Sequence, residues 1–143
     1  VLRLANPEAV DHPNVSSILE KAFGDGRWAR PEDVREWIRW HCDDPRMAVL
    51  LARRDVSVVG ILIATDLEDS PGAAPWVQHL HCPDDEEARM ALTEEVFGWA
   101  RDRGHSTVWA INASGLPDDA YVSLVHGQIV GARVLGSAIA FNF

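Results

Sequence analysis

Residues 76–103, WVQHLHCPDDEEARMALTEEVFGWARDR, carry one chain direction across Pro83 from a strand pattern into a helix pattern. Before the proline, residues 76–82 have the apolar and aromatic weight of a strand. After it, Ala88, Leu92, Val96, Trp99 and Ala100 recur at three and four residues, the period of one helix face. Gly104 then supplies a helix C-cap. The first turn of this helix holds Asp84, Asp85, Glu86 and Glu87. A helix N-terminus carries partial positive charge and favours carboxylates, and it is also where many α/β proteins hold a phosphate. The chain puts four negative charges of its own at that place.

Outward from this junction the remaining elements follow. Upstream, residues 1–5 form a short strand and residues 6–13 a turn. A helix follows with Val15, Ile18, Leu19, Ala22 and Phe23 on one face, ended by Gly24 and Gly26. A second helix opens at Pro31 with Glu32 and Asp33 in its first turn, and Val34, Trp37, Ile38 and His41 form its apolar stripe. Residues 47–53 and 56–65 are strands joined by a turn at Arg54-Asp55. The second, VSVVGILIAT, is β-branched and nearly uninterrupted, the pattern of a strand covered on both faces. Residues 66–75, DLEDSPGAAP, have loop composition. Downstream, residues 107–112 form a strand, 117–125 a short helix, and 128–135 and 137–143 the closing strands. The expected class is α/β with α+β layering: a mixed, mostly antiparallel sheet of six to seven strands flanked by about four helices. At 143 residues and 47% hydrophobic, residues 1–143 read as a single domain.

Composition limits the partners. Thirteen basic against twenty-two acidic residues give a net charge of −9, which opposes a polyanion, and no basic cluster offsets it, so nucleic acid is excluded. No apolar run reaches the roughly 18 residues of a membrane helix. The start, VLRLANPEAV, lacks the apolar core of a secretory signal. The expected setting is cytoplasmic or virion, with Cys42 and Cys82 as reduced thiols. Six tryptophans, Trp28, Trp37, Trp40, Trp76, Trp99 and Trp109, are expected mostly in the core, with a minority at an interface.

The element order, with a strand ending in Leu80-His81-Cys82-Pro83 and running into a helix, resembles the GNAT fold of the acetyl-CoA-dependent N-acetyltransferases over essentially the whole chain. In that family the strand leads into Arg/Gln-x-x-Gly-x-Gly/Ala, whose backbone amides hold the pyrophosphate of coenzyme A. Aligning Pro83 with the family proline puts Glu86 at the Arg/Gln position, Arg89 at the first required Gly and Ala91 at the last position; only Ala91 conforms. Side chains there remove the room that glycines leave, and the carboxylates put like charge beside a diphosphate. The family's acid, a Tyr four residues before a Gly, falls at Ser123 counted from Gly127, while Tyr121, the single tyrosine, stands two residues away.

The resemblance therefore implies a GNAT-like domain without catalysis, a structural or protein-interaction component of the kind found among bacteriophage virion and assembly proteins. Its partners are then virion proteins or a second copy, with no cofactor. The alternative is an active acyl-CoA-dependent N-acyltransferase using acetyl-CoA. In that case the backbone of Asp85, Glu86, Glu87, Ala88, Arg89 and Met90 holds the diphosphate, and Tyr121 or Ser123 serves as acid. Asp66, Glu68, His79 or His81 is then the base. A third reading is a regulatory module for an unrelated small molecule in the same cleft. The His79-x-His81-Cys82 run has zinc-ligand residue types, but strand alternation points Cys82 away from both imidazoles, so no metal is expected. Nucleophile-elbow, phosphate-loop and dinucleotide fingerprints do not occur.

Overall fold

The computed structural model describes residues 1–26, 29–66, 74–111, 131–135 and 138–142. Seven strands form one sheet in the order β1-β2-β3-β4-β5-β7-β6: β1 Leu2–Arg3, β2 Met47–Arg54, β3 Ser57–Thr65, β4 Trp76–His81, β5 Thr107–Ile111, β6 Gly131–Leu135 and β7 Ala138–Asn142. All neighbouring pairs are antiparallel except β4 and β5. Three α-helices are described, α1 Pro13–Phe23, α2 Pro31–His41 and α3 Glu86–Asp102, together with a 3-10 helix at Pro7–Asp11. The helix expected at residues 117–125 lies outside the described residues. No helix among the described residues is long and apolar enough to cross a membrane.

β2 and β3 alternate their side chains between two cores. Ala48, Leu50, Ala52, Leu62 and Ala64 pack under α3 with Ala88, Leu92, Val96, Phe97 and Ala100. Val49, Leu51, Ile61 and Ile63 pack under α1 and α2 with Val15, Ile18, Leu19, Phe23, Val34 and Ile38. Covering both faces is what the uninterrupted apolar run of β3 requires. The β2–β3 hairpin turns at Asp55, whose φ of 53° is a left-handed conformation that Asp tolerates.

Three local expectations change. The segment before Pro13 is a 3-10 helix, because Asn6 accepts from the Glu8 amide at 3.0 Å and Pro7 sets the first turn. The α2 stripe closes on buried Cys42, not His41, which is exposed. The tryptophans are not mainly core. Trp37, Trp76, Trp99 and Trp109 are half-buried and Trp40 is 72% exposed, while Trp28 lies outside the described residues. Trp99 packs partly buried against the α3-side core and Trp37 against the other.

Gly60 is fixed by close approach. A Cβ there would lie 2.7 Å from both Cβ and Sγ of Cys82 and 3.1 Å from Leu92 Cδ1. Gly60→Ala is expected to lower the urea midpoint by an amount equal to about 1–3 kcal/mol, the usual effect of overpacking. An unchanged midpoint would show that β3 and the β4–α3 step can move apart freely.

Candidate functional site

The N-terminus of α3 is built from the inside. Asp85 is its N-cap, extended in backbone, with Oδ1 accepting from the Ala88 amide at 2.9 Å. From the end of β2, Arg54 grips the same carboxylate through Nε to Oδ2 at 2.8 Å and Nη2 to Oδ1 at 3.0 Å, and it reaches Glu87 Oε2 at 2.7 Å. The Arg54 hydrogen bond, seconded by the Ala88 amide, holds the Asp85 carboxyl down at about 2. The guanidinium in turn is pushed up by the two carboxylates. Such forked contacts to an ionised acceptor are among the stronger hydrogen bonds. Asp84, Glu86 and Glu87 face solvent, Ala88 is buried, and Met90 is half-buried. Arg89 lies back across the β4–α3 step, its Nη1 donating to the Cys82 carbonyl at 2.8 Å.

The second part of the site is the α1/α2-side face of β4. The register against β3 runs Leu62↔Leu80, Ile63↔His79, then Ala64↔Val77, which leaves Gln78 as an extra residue at a bulge. The bulge puts Trp76, His79 and His81 on one face while Val77 and Leu80 pack under α3. His79 lies 4.2 Å, centroid to centroid, from Phe23 at the end of α1, and 6.5 Å from His81. Trp76 stacks on Trp109 of β5 at 5.4 Å. The β4–β5 ladder consists of Trp76↔Trp109 and Val77↔Ala110, so beyond Val77 the strand has no partner on that side among the described residues. Burial pushes His79 down to about 4, with His81 adding to the shift, and burial lowers His81 as well. Both imidazoles are therefore neutral near pH 7. The His79 Nε2 and Thr65 Oγ1 atoms are buried without a hydrogen-bond partner among the described residues.

Asp66 sits elsewhere. Its side chain is fully buried, with Oδ2 accepting from Arg103 Nε at 2.6 Å and facing His105 Nε2 at 2.9 Å. Arg103 also donates to the Pro45 carbonyl at 3.0 Å. The end of α3 makes this possible: Gly104, at φ 85°, lets the Gly104 and His105 amides bond back to the Arg101 and Ala100 carbonyls, a Schellman ending that sends Arg103 and His105 toward β3.

The candidates therefore separate. His79 and His81 share a face beside two tryptophans. Oδ2 of Asp66 is taken up by Arg103 and His105, and at residues 85–90 the Ala88 amide is capped by Asp85. Tyr121, Ser123 and Glu68 lie outside the described residues. Among the described residues no group of three or more His, Cys, Asp or Glu is placed to hold a metal. Cys82 packs in the α3-side core and Cys42 in the other, both as free thiols. Sequence reasoning missed Arg54, Arg103 and His105, because each acts on a residue more than thirty positions away and no local spacing announces it.

No family model matches the sequence, and no curated protein matches it. Solved structures do. An acetyltransferase of the GNAT family from Streptococcus pneumoniae is similar with a TM-score of 0.61 at 17% identity, over 98% of this chain and 95% of that one. The chain has the GNAT fold. An acetyltransferase from Thermus thermophilus is similar at 0.63 and 17% identity over 95% and 90% of the two chains. A ribosomal-protein-alanine N-acetyltransferase from Brucella melitensis is similar at 0.60 and 18% identity over 99% and 96%. At such identities the likeness concerns the GNAT architecture alone.

The neutral state of His79 has a measurable consequence. Its folded value of about 4 lies below the ordinary 6.5, so between these values the unfolded chain binds a proton that the folded chain does not. Stability then rises with pH across that window and is lost as pH falls through it. The urea midpoint is expected to drop from about pH 7 to about pH 5, and His79→Leu to remove much of that drop. An equal drop in the variant would exclude His79 as the source. Separately, Asp66→Ala removes the buried carboxylate that Arg103 and His105 bond to, and is expected to destabilise by about 3–5 kcal/mol in the same assay. A loss near zero would mean that the Asp66 pair adds nothing to the fold.

Proposed function

We propose that this chain is a non-catalytic GNAT-fold domain acting as a structural or protein-interaction component, and that coenzyme A is not its ligand. The observation that carries this reading is the closed start of α3. In the pattern that the chain resembles, free amides and glycines receive a pyrophosphate after the strand. Here the Asp85 carboxylate takes the Ala88 amide, Arg54 locks that carboxylate, and the Arg89 side chain occupies the step after Cys82. A diphosphate entering there has to displace a paired carboxylate and pass Asp84, Glu86 and Glu87. Unit charges of like sign about 4 Å apart oppose one another by roughly 4 kcal/mol at an effective dielectric near 20. Virion proteins are the partner class that the family resemblance brings forward, and self-association is the other.

A second reading draws on the β4 face. Imidazole can accept a proton from an amine, as an acyl-CoA-dependent N-acyltransferase with an atypical loop requires; His79, held down to about 4, is too weak a base for that role, which leaves His81 beside Trp76 and Trp109. Calorimetric titration with acetyl-CoA separates the two readings. We expect no binding heat, and a micromolar Kd overturns the first reading. The triple variant Asp85→Ala, Glu87→Gly, Arg89→Gly removes the cap and leaves Arg54 facing a helix start with the Ala88 amide freed. It is expected to bind inorganic pyrophosphate at least about tenfold more tightly than the unaltered chain, a difference of about 1.4 kcal/mol. Equal affinity would mean that the side chains are not what closes the cradle.

A further inference from the structure

The end of α1 meets β4 at an aromatic contact. Phe23, the last residue of the helix, is buried and its ring is tilted by 31° on His79, and His81 stacks beyond His79 at an interplanar angle of 12°. The helix is anchored unevenly along its length. Val15, Ile18 and Leu19 fill the core shared with β2, β3 and α2. In the last turn Glu20 and Lys21 are exposed, Ala22 is half-buried, and Phe23 is the buried side chain. Gly24 and Gly26 follow, both exposed, with Gly26 at φ 65°, a left-handed conformation that glycine adopts without steric cost. The final turn is thus able to lift from the sheet while Ile18 and Leu19 stay in place, a local opening that costs less than global unfolding.

The contact that holds this turn down responds to a proton. His79 Nε2 is buried with no hydrogen-bond partner among the described residues. In the imidazolium both ring nitrogens are donors, so a protonated His79 keeps a charged donor where no described group accepts from it, and burying such a charge is costly. The groups around the pair do not offset this. From β3, apolar Ile63 stands opposite His79, with uncharged Thr65 further along the same face. From α1, the Phe23 ring attracts a cation weakly, and Lys21 brings positive charge near His81. On β4 itself, His81 opposes a charge on His79. Asp84, after β4, favours a charged His81, but burial outweighs it there. Closed under Phe23, His79 is held by burial at about 4; returned to water it regains its ordinary 6.5. Acid therefore favours the open form between these values, and the closed form is fully restored above them.

We propose that Phe23, His79 and His81 form an acid-sensitive latch, in which a proton on His79 releases the last turn of α1 from β4 and uncovers the face that His79 shares with Trp76. This goes beyond the reading of α3 and stands whether or not the helix start there admits coenzyme A. Hydrogen exchange read by mass spectrometry on the full chain, at pH 7 and pH 5 with labelling times matched to the chemical exchange rate, tests it. Peptides covering residues 19–26 are expected to open at least about tenfold more at pH 5, while those from β2, β3 and the middle of α3 keep their protection. In His79→Leu that tenfold change is expected to vanish, and His79→Gln gives the same readout with a polar side chain should leucine disturb the fold. Equal protection of residues 19–26 at the two pH values overturns the proposal. A loss spread evenly over all peptides overturns it too, since the opening is then global. So does a tenfold change that persists in the folded variants, which would place the sensor elsewhere.

Discussion

The amides in the first turn of a helix have no partners within the helix, and what fills that need at α3 conditions the rest of the molecule. The acceptor is Asp85, one residue ahead of the helix, held there by Arg54 from the end of β2. The contact therefore ties the hairpin of β2 and β3 to the start of α3, across the same step where Gly60 makes room for Cys82. The α3-side core, from Leu50 and Leu62 to Leu92 and Val96, closes beneath it. Capping, packing and the proposed exclusion of a diphosphate are thus one set of contacts. The carboxylate that stabilises the helix also occupies the polar ground an anionic ligand would use.

A different linkage holds the opposite end of α3. Asp66, Arg103 and His105 bring together the end of β3, the segment after α2 and the helix terminus around one buried carboxylate. Breaking such a pair strands a charge in a low-dielectric interior, which matters more to the fold than the attraction the intact pair supplies. The two ends of α3 are pinned by charge, and its middle is held by apolar packing. On the opposite face of the sheet, β4 gathers aromatic and imidazole side chains, Trp76, His79 and His81.

Much of the architecture can be read from the residues because periodicity carries it. The β-branched run of β3, the three-and-four spacing of α3 and the proline that opens α2 each name their element locally. The two-sided burial of β3 follows from its unbroken apolar pattern. The tryptophans are harder to place, since an indole suits a core margin, a stacked pair or an exposed helix face equally well, and only the neighbours decide. Trp40 depends on Glu36, Trp76 on Trp109, and neither outcome is written in composition. The closure of α3 is half legible. Four carboxylates after Pro83 announce a self-capped helix, but the arginine that fixes Asp85 comes from another element. The same holds for Asp66, whose isolation in sequence from Arg103 makes it look available for chemistry.

The bulge at Gln78 reaches beyond the local twist of β4. Side chains on a strand alternate between faces, so one additional residue divides β4 into two segments read in opposite phase, and Trp76 and His79 come to share a face although an odd number of positions separates them. No substitution can produce or undo that change of phase; only gaining or losing a residue can. In a lineage of such chains, the composition of this face would be rewritten by insertions and deletions near position 78. Such changes appear as gaps between relatives, so a search for changed amino acids alone would overlook the event that reassigns the face.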